Sequence, residues 1–264
     1  MTDAKAGRLV SRTDGAVAWI TIENPARLNA FTRDMWEALP GHIAAAEADD
    51  DVRVIVITGA GTKSFSAGAD ISEFGDNRTG DAARDYDDIN DAAYQALLGA
   101  GKPTVAMVAG YCFGGACELA ICCDLRIAAD NASFSVPAAK LSLGYNPRWI
   151  KPMLAVMPAA KVKEMLFTAR RYLAADALRM GLVNSVVPLA DLESETRALT
   201  AEMAANAPLT LRAAKASVDA LVSNPESADL AALDAMVLSC FDSEDFKEGA
   251  RAFLEKRKPV FRGR

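Results

Sequence analysis

Apolar and polar positions along the chain fall into strand-like runs and helical stripes separated by small-residue turns. "AVAWITIEN" (Ala16–Asn24) has the β-branched content of a strand and is stopped by Asn24-Pro25. From Thr32 to about Ala48, Met35, Trp36, Leu39 and Ile43 share one helical stripe, with Thr32 placed as N-cap and Pro40-Gly41 interrupting the pattern. "DVRVIVITG" (Asp51–Gly59) is nearly all apolar, as a strand buried on both faces is. "KPTVAMVAG" predicts a third strand and "GGACELAICCD" a helix after it; "DLRIAAD" and "ASFSV" predict short strands, and "KVKEMLFTAR" a helix. Residues 73–91 carry seven acids and two bases with few apolar positions, which predicts a mobile, solvated segment. From about Asp191 the pattern turns helical, with Pro208 at a helix start and Pro225 at a break. An α/β core over residues 1–190 and a helical region over 191–264 are the expectation.

Composition narrows the function. The 264 residues are 51% hydrophobic, enough for one large core. Lys+Arg is 29 against Asp+Glu 35, and the net charge of −6 argues against nucleic acid or an anionic membrane as partner. The charge is uneven. Residues 251–264 hold six bases and one acid, so the rest of the chain stands near −11, and a local anion site in the tail is expected. The five cysteines form no CxxC pair and the one histidine, His42, reads as a surface residue, so neither a zinc site nor a His-dependent triad is expected. Free thiols, a polar N-terminus without an apolar stretch and apolar runs too short to span a bilayer predict a cytoplasmic globular protein.

Candidate chemistry sits in "GYCFGGACELAICCD" (110–124), where adjacent glycines and a glutamate interrupt an apolar run. Glycine costs about 0.5–1 kcal/mol there relative to alanine, and an unpaired buried carboxylate costs far more. Between a strand and a helix, such glycines let a ligand oxygen approach unpaired N–H groups. Gly115 and Glu118, three apart, then share a helical face. Close helix–strand packing accounts for a glycine pair as well. The second small-residue turn, "SFSAGAD", adds another donor, most naturally the Ala69 N–H, and two such donors make an oxyanion hole.

Here "NPARLNAF", "FSAGADISEF", "KPTVAMVAGYCFGGACELAICCDLRIA" and "EKRKPVF" resemble the enoyl-CoA hydratase/isomerase (crotonase) superfamily, from about residue 16 to the end. The resemblance implies an α/β crotonase-like spiral of ββα units with a helical C-terminal trimerisation region, assembled as a homotrimer or a dimer of trimers. It implies an acyl-CoA thioester as substrate, coenzyme A being part of it and no separate cofactor being needed. The thioester oxygen would sit at the N–H groups of Ala69 and Gly115, where an enolate is stabilised. Arg27 would meet a CoA phosphate; Lys256, from a neighbouring subunit, the 3′-phosphate; and Phe253 the adenine. Ala67, Asp70, Ile71, Gly114, Ala138 and Arg148 complete the implied substrate contacts.

The sequence also departs from the family's hydratases, which use two glutamates. Glu118 matches one. Ala138 occupies the place of the other, and no acid lies between Asp130 and Glu164. "YNPRWIKPML" replaces the usual glycine-rich stretch that follows. "LGYNP" and "KEMLFTAR" resemble the methylmalonyl-CoA decarboxylase branch, where a tyrosine at the place of Tyr145 orients a substrate carboxylate. Tyr145 could equally line an acyl pocket, and Arg148 could pair a carboxylate or lie at the surface. Three readings follow: hydratase/isomerase chemistry with Glu118 as sole acid/base, decarboxylation of a malonyl-type acyl-CoA using Tyr145, or a non-catalytic CoA- or RNA-binding relative. On this view Tyr145→Phe would harm decarboxylation and leave hydration nearly unchanged.

Overall fold

The computed structural model describes residues 7–73, 80–223 and 225–264. Strand β1 (Arg8–Asp14) pairs antiparallel with β2 (Val17–Glu23), from Arg8 opposite Glu23 to Asp14 opposite Val17. β1 has no buried residue, so its backbone ladder defines it rather than an apolar pattern. β2, β3 (Val54–Gly59), β5 (Thr104–Val108), β7 (Leu125–Ala129) and β10 (Ser185–Val187) continue one sheet in the order β1-β2-β3-β5-β7-β10, parallel from β2 onward. All six residues of β3 are buried, as its apolar run predicts.

Three times the chain leaves this sheet, turns, and enters a second, smaller one. β3 leads to β4 (Ser64–Ser66), β5 to β6 (Tyr111–Phe113) and β7 to β8 (Ser133–Ser135), and the small sheet runs β4-β6-β8 with β9 (Tyr172–Leu173) at its edge. Described helices follow each pair: α2 (Gly80–Leu98), α3 (Gly115–Ile121) and α4 (Pro147–Val156). This is the expected ββα spiral. One glycine shows how tight its corners are: at Gly110, φ is +63° and a Cβ would lie 1.9 Å from the carbonyl oxygen of Lys63.

Helix α1 (Arg33–Ala48) has the expected Thr32 cap, which accepts from the Met35 N–H, and it runs through Pro40. It packs against α2. The acid-rich window 73–91 is therefore helical from Gly80 onward rather than the mobile segment expected; its residues 74–79 lie outside the described ones. The stripe that seats α2 is Tyr86, Asn90, Ala93, Tyr94 and Leu97, and most of it lies beyond the acids that dominate the window.

The main core fills the space between the sheets and helices, around Ile20, Phe31, Trp36, Ile57, Phe65, Tyr86 and Phe134. On the other face of the large sheet, Trp19, Val54, Val56 and Val105 pack with Leu192, Leu199 and Met203, so α7 (Leu192–Ala204) is part of the core's cover. The chain also forms α5 (Ala159–Thr168), α6 (Ala174–Arg179), α8 (Pro208–Ser223), α9 (Leu230–Asp242) and α10 (Glu244–Leu254). Among the described residues no helix is long and apolar enough to cross a membrane.

Candidate active site

Two buried asparagines shape the first loop. The side chain of Asn29 donates to the carbonyls of Ala60 and Ser64 at 3.0 and 2.7 Å and accepts from the Asn24 N–H, while Asn24 donates to Ala30. The loop then pins the "SAGAD" turn: Phe31 N–H donates to Gly68 and Asp70 N–H to Phe31, at 2.8 and 2.7 Å. In this parallel bridge the bonds come from the residues flanking Ala69, so the Ala69 N–H itself turns away from Phe31.

The second turn meets the first back to back. A Cβ on Gly68 would lie 2.7 Å from the carbonyl oxygen of Phe113, and one on Gly114 would touch the Gly68 Cα at 3.9 Å. Both glycines have positive φ, +94° and +56°. Gly115 then starts α3. A Cβ there would stand 2.9 Å from the Tyr94 hydroxyl oxygen and 3.3 Å from Trp36, and the Tyr94 hydroxyl donates to the Gly115 carbonyl. The glycine at 115 thus makes room for an aromatic wall. Among the described residues, neither Ala69 N–H nor Gly115 N–H is donated to a protein acceptor.

Glu118 is fully buried on the same short helix. The Tyr145 hydroxyl donates to its Oε2 at 2.9 Å, and its Oε1 has no partner. Burial lifts this carboxyl from 4.5 to about 8, against the opposing pull of the Tyr145 bond. Burial and the nearby Glu118 push the Tyr145 phenol well above its usual range. The helix ends on another buried charge. Arg126 donates to the carbonyls of Ala120, Ile121 and Cys123 at the C-terminal end of α3 and to Leu182 at 2.7 Å, satisfying the groups a helix end leaves open. Only "CCDLRIA" hinted at it, by placing an arginine in an apolar strand.

Between the two turns lies a cavity of about 130 Å³, bounded by Ala67, Gly68, Ala69 and Ile71 from the first turn and Gly114 and Gly115 from the second. Ala138, Leu141, Leu143, Tyr145 and Trp149 close the other side. The structure therefore brings together most of the residues expected to meet the acyl group. Edge-to-face contacts chain Trp36 to Tyr94, Tyr94 to Trp149 and Trp149 to Tyr145, at 5.7, 5.7 and 5.6 Å between ring centres.

Other expected residues lie elsewhere. Asp70 is buried and grips Arg27 at 2.8 Å and Ser72 at 2.7 Å; burial alone would raise its carboxyl, but the Ser72 bonds and the Arg27 charge hold it low. Arg27 stays half-exposed on that anchor, in reach of solvent. Arg148 does not line the cavity: it pairs with Asp91 and Asp88 of α2 at 3.0 and 3.2 Å. Phe253 is 84% exposed and Lys256 sits beyond the end of α10, neither lining the cavity of its own chain. His42 shares a hydrogen bond with Ser11 on the far side of α1. Burial pushes the Cys112 and Cys122 thiols well up and the Cys123 thiol to about 12, so these three are neutral packing groups.

A ββα spiral with two free turn donors beside a buried carboxyl defines the crotonase class of proteins. Residues 12–264 match the family described as enoyl-CoA hydratase/isomerase, and the chain belongs to that family. It is 34% identical to the short-chain-enoyl-CoA hydratase of Clostridium acetobutylicum over 252 residues, 95% of either chain. It is 36% identical to the carnitinyl-CoA dehydratase of Escherichia coli O157:H7 over 255 residues, 95% of this chain and 97% of that one. Among solved structures, an enoyl-CoA hydratase/carnithine racemase from Magnetospirillum magneticum superposes with a TM-score of 0.91 at 34% identity, covering 97% of this chain and 96% of that one.

Proposed function

We propose that this protein adds water across the α,β double bond of a short enoyl-CoA, and removes it in reverse, using Glu118 as its one acid/base. The observation that carries this is the Glu118 carboxyl: buried, with one oxygen held by Tyr145 and the other unpartnered, three residues after the free Gly115 N–H. An unmet hydrogen bond on a buried acid calls for a ligand or a water. Two relatives that are about a third identical are a hydratase and a dehydratase, which supports the same direction.

The proton ledger closes with one carboxyl. Ionised Glu118 takes a proton from water as the water oxygen bonds to the β-carbon. The π electrons move to the thioester oxygen, where the Ala69 and Gly115 N–H groups stabilise the enolate. The enolate then re-forms its carbonyl, and the α-carbon takes the proton back from Glu118, so that H and OH have been added and Glu118 is again ionised. Tyr145 holds the carboxyl in place throughout. On this reading Arg27 meets a CoA phosphate, while Phe253 and Lys256 meet the adenine and 3′-phosphate of a CoA bound to a neighbouring copy in a homotrimer or dimer of trimers. The exposed Leu238, Phe241 and Leu254 of the C-terminal helices support such an assembly.

A second reading, decarboxylation of a malonyl-type acyl-CoA, rests on Tyr145 lining the cavity where Ala138 leaves no second acid. Incubation with crotonyl-CoA and with methylmalonyl-CoA, followed by mass spectrometry, separates the two. Gain of water on crotonyl-CoA supports the proposal; loss of CO₂ from methylmalonyl-CoA replaces it with the second reading. Inertness to both, with CoA esters still bound, would leave a binding protein.

A further inference from the structure

One amide interrupts the apolar wall of the cavity. Asn90 lies on the inward stripe of α2, 3% exposed, among cavity neighbours such as Val136, Leu141, Leu143 and Trp149. Its Nδ2 donates to the Tyr86 carbonyl at 2.6 Å. Only the nitrogen can make that bond, so the orientation of the amide is fixed and Oδ1 is the outward end. Among the described residues nothing donates to that Oδ1. Tyr145 also lines the cavity and has its proton engaged on Glu118, which leaves its hydroxyl oxygen an acceptor.

Charge narrows the complement further. Among the described residues no Asp, Glu, Lys or Arg side chain lines this cavity. A carboxylate on the acyl chain would be desolvated without a cation to pair it, and a plain hydrocarbon would leave the Asn90 acceptor unpaired. The 130 Å³ of space holds about four or five heavy atoms at the ~30 Å³ share of a water-sized group. We propose that Asn90 is a specificity-determining residue, selecting a short acyl chain that carries no carboxylate and whose far end bears a hydroxyl that donates to its Oδ1. This rests on the reading that the cavity takes the acyl part of a CoA thioester, but not on which reaction follows.

The test is a binding ratio, read without turnover. Isothermal titration of the purified protein with butyryl-CoA and with 4-hydroxybutyryl-CoA, neither of which can be hydrated or can lose a β-hydroxyl, gives the preference directly. The hydroxylated ester is expected to bind about tenfold more tightly, the order of effect when a buried acceptor otherwise lacks its donor. Asn90→Leu should erase or reverse that ratio by weakening the hydroxylated ester and favouring the plain one. Equal affinity for the two esters in the unaltered protein overturns the proposal, since water then serves the amide as well. A preference that survives in Asn90→Leu overturns it too. Should that variant not fold, Asn90→Asp, which keeps an acceptor at the same place, must retain the preference. Failure to hydrate crotonyl-CoA would sink the proposed reaction while leaving this ratio intact, so the two failures are separate.

Discussion

The Tyr145 hydroxyl donates to one oxygen of the Glu118 carboxyl at 2.9 Å and leaves the other oxygen without a partner. A tyrosine and a glutamate 27 positions apart thus form a single unit, in which the tyrosine orients the acid and tempers its proton affinity. Replacing either member perturbs the other.

The pH dependence of turnover follows from burial of Glu118. In the proposed hydration the cycle starts from the ionised carboxyl, whose pKa is lifted to about 8. For hydration of crotonyl-CoA, kcat/KM should rise about tenfold per pH unit below that value and level off above it. Glu118→Gln should cost about 10²–10⁴-fold with CoA-ester affinity retained. A flat profile between pH 6 and 9 would remove Glu118 from the proton-transfer step.

Tyr145→Phe deletes the interaction that favours the charged carboxyl, so the Glu118 pKa moves further up. The rising limb shifts to higher pH, and the loss of kcat/KM, about tenfold at pH 7, shrinks as the pH is raised. The expectation that this variant spares hydration treats the two residues as independent; the hydrogen bond between them makes a coupled loss the predicted outcome instead. A loss of equal size at every pH would instead fit a tyrosine that contacts the substrate.

The same carboxyl makes stability fall with pH. The folded protein holds this proton up to about 8 and the unfolded chain releases it near 4.5, so across that window the native state binds more protons. Its contribution is complete below 4.5 and is lost as pH rises towards 8, at up to about 1.4 kcal/mol per unit. Urea midpoints measured from pH 5 to 9 should decline in the unaltered protein and decline less in Glu118→Gln. Parallel curves for the two would show that Glu118 is not a raised carboxyl.

Gly115→Ala keeps the backbone donor but places a methyl 2.9 Å from the Tyr94 oxygen. Activity should drop by about tenfold or more, an expected size for displacement of a preorganised donor. Tyr94→Phe in the same protein removes the offending oxygen and should return part of the loss. This non-additivity, read as a double-mutant cycle on kcat/KM, distinguishes crowding from simple loss of the Tyr94 hydrogen bond.

The sequence made the strands after Ala16, the two turns and the Glu118 helix legible because each has a local signature: β-branched runs, glycines and a charge in an apolar stretch. β1 escaped because its residues face solvent and only pairing with β2 defines it. α2 escaped because its acids occupy the outer face and its seating residues fall late in the segment. Within the site, Ala69, Gly115, Glu118 and Tyr145 were named from sequence, but the bond between the last two, the Asn24–Asn29 scaffold and the Arg126 clamp join positions remote in the chain. The sequence leaves Arg148, near Tyr145, either pairing a substrate carboxylate or lying at the surface; a helix start turns it outward to Asp88 and Asp91.

The Arg126 clamp has a consequence for how the enzyme fails. Helix α3 has seven residues, well short of the roughly 12–15 a helix needs to be even marginally stable alone. Its closing carbonyls are taken by a guanidinium that is itself moored to Leu182, some sixty positions downstream, at 2.7 Å. The helix that carries Glu118 therefore has no independent existence. Heat should extinguish turnover and the spectroscopic signature of the whole sheet in one transition, and a peptide cut from residues 110–124 should be unstructured and inert.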